Sequence, residues 1–198
     1  EGRLDVLICN AGFGISGAVE FTAYADAKRQ FDVNFFGTSN CIRAALPEMR
    51  RQGSGMIIVT SSVAGMVSIP FQAYYSASKA ALNSLVLATA NEVRPYGVRV
   101  AAIMPGDIKT GFTAARTKSN AGSSDYAALS KSVATMERDE QNGMSPDVIA
   151  RCMYSVSRKR SPKPLRSVGL QYKACCLLGK FLPCRLSNWI VGKMYASK

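Results

Sequence analysis

Residues 4–9, 56–60 and 98–103 are apolar almost throughout, without the alternation of apolar and polar positions that marks a half-exposed strand. A strand covered on both faces has no polar side to show, so these runs read as buried strands, each ending in small or turn residues. Between them, residues 23–51 and 74–94 repeat apolar positions at three- and four-residue steps, the period of a helix packed on one face. Buried strands alternating with helices predict a parallel sheet joined by right-handed crossovers, an α/β fold.

Pro47 falls inside the first helical region and predicts a helix start, a kink or a tight turn nearby. Residues 113–143 are polar and rich in Ser and Ala, with a helical pattern around 126–138, and read as a mobile insertion. Ser145-Pro146-Asp147 supplies an N-cap, a first-turn proline and an acid at the positive end of a helix running toward Ser157. Pro162 and Pro164 stop that helix, residues 165–170 suit a last short strand, and 172–195 form an amphipathic end. A chain of 198 residues, 47% apolar, suits one domain with a sizeable core. No repeat or low-complexity tract interrupts it.

The chain has no histidine, and its six cysteines (Cys9, Cys41, Cys152, Cys175, Cys176 and Cys184) include no C-x-x-C pair. A zinc site is therefore not expected, free thiols in a reducing, cytoplasmic setting are, and acid/base chemistry must fall to Tyr, Lys, Cys or a carboxylate. Net charge is +12, yet residues 1–150 carry 14 Lys/Arg against 13 Asp/Glu, and residues 151–198 carry 11 against none. The basic tail reads as a solvated face or as one drawn to an anionic membrane surface or substrate; nucleic acid is not an expected partner. Lys180, Pro183 and Arg185 break its apolar stretches, so no membrane span is predicted. A tail of this pattern closes a core, packs in an oligomer, or lies on a membrane.

Tyr75 and Lys79 stand four apart, on one face of the second helical region, while Tyr74 points elsewhere. An ammonium one turn from a phenol favours the phenolate, which predicts a lowered Tyr75 pKa and a usable acid/base. Ser62 lies thirteen residues before Tyr75 and follows the strand 56–60, at the carboxyl edge where open α/β sheets bind ligands. A Y-x-x-x-K pair alone is common on surface helices; the serine at the strand end gives it a context.

Three further motifs accompany this one. Asn10-Ala11-Gly12 ends the first strand, Asn34 sits in Val33-Asn34-Phe35-Phe36-Gly37, and Pro105-Gly106-Asp107-Ile108-Lys109-Thr110 follows the third strand. In this order, with Ser62 and Tyr75-x-x-x-Lys79, the chain resembles a short-chain dehydrogenase/reductase over nearly its whole length. The resemblance implies a Rossmann-like, doubly wound parallel sheet and an NAD- or NADP-dependent oxidoreductase interconverting an alcohol and a carbonyl compound. It implies that Tyr75 exchanges the proton, that Ser62 hydrogen-bonds the reacting oxygen, that Lys79 holds the nicotinamide ribose and acidifies Tyr75, and that Asn34 holds a relay water. Cofactor contacts would come from Asn10, Ala11, Gly12, Tyr75, Lys79, Pro105, Gly106, Ile108 and Thr110, and assembly would be homo-oligomeric.

The family's glycine-rich T-G-x-x-x-G-x-G loop has no counterpart, so the first three βα units of the family fold are expected to be missing, an incomplete sequence starting mid-domain. The first strand would then be an exposed edge, and the fragment would bind cofactor weakly or not at all, leaving an inactive scaffold or a membrane-binding module as alternatives. The segment 10–82 is also similar to the branch containing 17β-hydroxysteroid and retinol dehydrogenases. A pocket for a lipid-like substrate would draw on Ile15, Val67, Ile69, Phe71 and Phe112, with 113–143 as a substrate lid.

Overall fold

The apolar runs form neighbouring strands in the computed structural model, which describes residues 2–119, 121–122 and 124–196. Strands β1 (Val6–Cys9), β3 (Gly55–Thr60), β4 (Val98–Met104) and β6 (Leu165–Ser167) make one parallel sheet in the order β1-β3-β4-β6. A second, two-stranded parallel sheet joins β2 (Ile15–Ser16) to β5 (Thr117–Lys118). The helices are α1 (Tyr24–Phe31), α2 (Thr38–Gln52), α3 (Ala73–Glu92), α4 (Phe112–Ala115), α5 (Leu129–Gln141), α6 (Pro146–Ser157), α7 (Leu170–Phe181) and α8 (Cys184–Tyr195).

The central strands are apolar on both sides because helices cover both faces. Ile57 and Val59 of β3, with Val100 and Ala102 of β4, pack against Ile42 and Met49 of α2 and Leu82 and Val86 of α3. Met56, Ile58, Ala101 and Ile103 point the other way, onto Ile149, Met153 and Val156 of α6. Each such fully buried Ile or Met contributes roughly 1.5–3 kcal/mol relative to exposure. β1 lies at the edge of the sheet, and its outward Val6 and Ile8 remain exposed.

One expectation changes. Pro47 neither starts nor breaks a helix: it sits within the continuous α2. The irregularity falls earlier, in a π-helical stretch (Asp32–Gly37) between α1 and α2 that carries the fully buried Asn34; wider turns of this kind recur at functional sites. The helix expected around 126–138 is α5, which buries Leu129, Ser132 and Met136, and β5 adds a short pairing with β2. Ser145 caps α6 as the motif requires, its hydroxyl accepting from the Asp147 N–H at 3.3 Å.

Candidate active site

The carboxyl ends of β1, β3 and β4 feed three loops into one cavity of about 1130 Å³. Asn10 and Gly12 follow β1, Ser62 follows β3, and Pro105, Gly106, Ile108 and Thr110 follow β4; Tyr75 and Lys79 complete the lining from α3. The first loop is tied to β3 by the Thr60 hydroxyl, which donates to Asn10 Oδ1 at 2.8 Å. Ala11 is exposed and lies off the lining, and Tyr74 is also outside it.

Tyr75 and Lys79 do share a helix face, with the Lys79 ammonium 5.7 Å from the Tyr75 ring centroid. The expected lowering of the Tyr75 pKa is not found. Burial pushes the phenol up to about 12, against the opposing hydrogen bond with Ser62. Burial likewise brings Lys79 down to about 8, and its ammonium donates to the Thr60 carbonyl at 2.8 Å. Desolvation is the largest influence on both groups. Near neutral pH Lys79 stays mostly charged and Tyr75 stays protonated.

Asn34 is not on the cavity lining; it stands behind it. Its Oδ1 accepts from the Phe13 N–H at 3.0 Å, and its Nδ2 donates to the Phe13 carbonyl at 3.0 Å and to Ser78 Oγ at 3.2 Å. The Ser78 hydroxyl donates in turn to the Tyr75 carbonyl at 2.8 Å, so Asn34 braces the loop after β1 against the helical turn that carries Tyr75. A Cβ on Gly12 would stand 3.2 Å from Asn34 Oδ1 and 3.4 Å from Lys79 Nζ, a tight fit that the glycine relieves where this loop lies close to both.

Ser62 is placed by a short turn. Its hydroxyl accepts from the Ala64 N–H at 3.1 Å, and the chain then presses Gly65 against α3. A Cβ there would meet the Lys79 carbonyl carbon at 2.7 Å. Gly65→Ala is therefore expected to cost about 1–3 kcal/mol of stability in urea unfolding and to lower turnover, because α3 must shift at Lys79; an unchanged protein would mean that the close approach does not exist.

Ile108 forms a bridge with Met144 that uses the Asp107 carbonyl and the Lys109 N–H, at 3.0 Å each. The main-chain groups of Ile108 itself therefore face away from that bridge. Of the residues expected to line an apolar pocket, Val67, Ile69 and Phe112 do so. Ile15 is buried in the β2 region instead, and Phe71 packs edge-on to Tyr126 with a φ of 60°, outside the lining.

Sequence reasoning missed the rest of the wall. Leu178, Leu182, Ile190, Val191 and Met194 of the tail line the cavity, as do Asp139 and Glu140 of the insertion. The tail is clasped to the loop after β4 where the Tyr172 hydroxyl donates to Asp107 Oδ2 at 2.7 Å, with its ring over Gly106. Burial raises the Asp107 carboxyl above its usual range. The insertion is clamped by an ion pair between the fully buried Arg116 guanidinium and Glu140, which also accepts from the Thr113 hydroxyl at 2.6 Å. Among the described residues no cluster of His, Cys, Asp or Glu could hold a metal ion.

The chain is similar in sequence and in fold to known proteins. Residues 1–121 match the family description "short chain dehydrogenase". A 3-ketodihydrosphingosine reductase of Bacteroides thetaiotaomicron is 39% identical over 200 residues, covering 99% of this chain and 74% of that protein. Human 17-beta-hydroxysteroid dehydrogenase type 1 is 43% identical over 112 residues, 57% of this chain and 34% of the relative. A short-chain dehydrogenase/reductase of Burkholderia phymatum, solved in complex with NAD, superposes with a TM-score of 0.77 at 25% identity, over 89% of this chain and 65% of that one.

Proposed function

Because the chain belongs to the short-chain dehydrogenase family, we propose that it is an NAD(P)-dependent oxidoreductase interconverting an apolar, lipid-like alcohol and its ketone or aldehyde, with Tyr75 as the general acid/base. One observation carries this reading: Ser62, Tyr75 and Lys79 open onto the same cavity as Asn10, Gly12, Pro105, Gly106, Ile108 and Thr110. A dinucleotide fits these residues, since Gly12 lets the loop after β1 approach Lys79 and Ile108 turns its main-chain groups away from its bridge. When bound, the nicotinamide supplies or accepts the hydride.

The chain's own residues handle the proton and the oxygen. Tyr75, protonated at neutral pH, donates to the carbonyl oxygen during reduction, and the Ser62 hydroxyl holds the same oxygen. Lys79 keeps its positive charge close to the phenol that loses the proton and offers its ammonium to a ribose hydroxyl. Asn34 is fully buried, so in this arrangement it positions Tyr75 through Ser78, and a relay water would enter beside it only if the loop after β1 moves. Residues 113–143 act as the substrate lid, supported by the cavity-lining Asp139 and Glu140, and homo-oligomers would form through the helices carrying Asn34 and Tyr75, where Phe36 and Leu87 lie exposed.

The lipid-like substrate is supported by the apolar wall of Val67, Ile69, Leu178 and Leu182 and by the similarity to a 3-ketodihydrosphingosine reductase. A series of ketones of increasing chain length, assayed by oxidation of NADH and of NADPH, tests it. Each methylene that the wall buries is expected to raise kcat/KM about fourfold until the cavity is full. Efficiency independent of chain length would remove the lipid-like substrate, and oxidation of neither cofactor with any ketone by the protein expressed from its complete coding sequence would overturn the reading.

A further inference from the structure

The two tail helices leave most of their apolar surface uncovered. Their buried residues are Cys176 in α7 and Val191 in α8. By contrast Leu177, Phe181, Leu186 and Trp189 are 58%, 79%, 43% and 60% exposed. On α7 the positions Leu170, Ala174, Leu177 and Phe181 recur at four- and three-residue steps, one outward stripe of a helix. On α8 Leu186, Trp189 and Ile190 share such a stripe, and the Lys193 ammonium lies 5.9 Å from the Trp189 ring centroid. A shallow cleft of about 380 Å³ between Pro183, Arg185, Leu186 and Trp189 lies on the same helix. Helices that served only to close the core would bury these side chains.

Charge identifies what covers the stripe. Helices α7 and α8 carry Lys173, Lys180, Arg185 and Lys193 and no Asp or Glu. A second copy of the chain docked on this face would set two all-basic surfaces against each other, whereas an anionic surface neutralises them. Aromatic and leucine side chains flanked by lysine and arginine are the composition of helices that lie in a membrane interface. No helix among the described residues is long and apolar enough to cross a membrane.

The same helices form the cavity wall. Leu178, Ile190 and Met194 line the cavity and are nevertheless partly exposed, which makes them its rim. The cavity thus opens beside the uncovered apolar stripe. We propose that α7 and α8 dock this protein peripherally on an anionic lipid bilayer, with the rim of the cavity turned toward the acyl chains.

Vesicle flotation with the full chain tests this without cofactor or turnover, so its result is independent of the redox reading. The protein is expected to float with phosphatidylcholine vesicles containing about one-third phosphatidylserine, and at least about tenfold less with pure phosphatidylcholine or in high salt. The Phe181→Glu/Trp189→Glu double variant, altered only at exposed positions, should lose about tenfold or more of that binding with an unchanged circular dichroism spectrum and melting curve. Single Lys180→Glu and Arg185→Glu variants give a second, milder test, each weakening binding to anionic vesicles. Wild-type protein that stays at the bottom of the gradient, or glutamate variants that float as wild type does, would overturn the proposal. So would light scattering showing a wild-type dimer that the double variant splits, because the face would then join two copies.

Discussion

With Tyr75→Phe, carbonyl reduction by the protein expressed from its complete coding sequence is expected to fall about 10²- to 10⁴-fold, with cofactor affinity nearly unchanged. The substitution removes one oxygen. The ring stays, and with it the contact to Phe112, whose centroid lies 5.6 Å away. Lys79 keeps its bond to the Thr60 carbonyl, and Asn34 keeps its bond to Ser78, so the residues proposed to hold the cofactor do not move. What is lost is the proton. Burial holds the phenol near 12, so at neutral pH it is an acid in its protonated form, beside a Ser62 hydroxyl that cannot replace it. Tyr74→Phe, one residue away and off the cavity lining, should turn over normally. Single-turnover rates together with titration of NADPH separate the two effects; a Tyr75→Phe protein with full activity would remove the proposed acid/base.

Glu140→Ala is expected to destabilise the fold by about 3–5 kcal/mol and to lower the melting temperature by roughly 6–20 °C. The Arg116 side chain is entirely buried, and its Nε and Nη1 have no hydrogen-bond partner among the described residues. Glu140 is the group that compensates this charge, and removing it strands a guanidinium in the interior. The pair also fastens the two ends of 113–143 across 24 residues, so the loss should appear first as faster hydrogen exchange in α5. Because a buried ion pair can be replaced by apolar groups at small cost, Arg116→Met/Glu140→Leu should recover much of the stability. Melting of Glu140→Ala within about 2 °C of wild type would mean that solvent reaches the guanidinium.

Some features were legible because they depend on residues close together in the chain. Strands buried on both faces announce themselves by lacking alternation, as β3 and β4 do; β1 also falls within its run, but as an edge strand it leaves Val6 and Ile8 exposed. The cap of α6 follows from Ser145 and Asp147, two residues apart. Tyr75 and Lys79 meet because a helical turn brings positions four apart onto one face, and Ser62 reaches them because it ends a neighbouring strand. Pro47 misled because a proline records only the bond its own nitrogen cannot make, and α2 runs through it, while the irregular turn of this region is the π-helical stretch around Asn34.

Other features came from elements distant in sequence. Asp107 meets Tyr172 across 65 residues, Arg116 meets Glu140 across 24, and the tail helices become a cavity wall only when folded over the loop after β4. The pKa of Tyr75 belongs to this second group. Spacing along a helix fixes which charge stands near a phenol, but desolvation is set by everything packed around it, and here that collective effect is the larger. The amino-acid sequence by itself therefore determined the parallel sheet and which side chains are candidates to react, through periodicity and local chemistry; the tertiary structure alone decided how deeply those groups are buried, the shape of the cavity and the apolar face beside its rim, because burial is a property of the assembled surroundings.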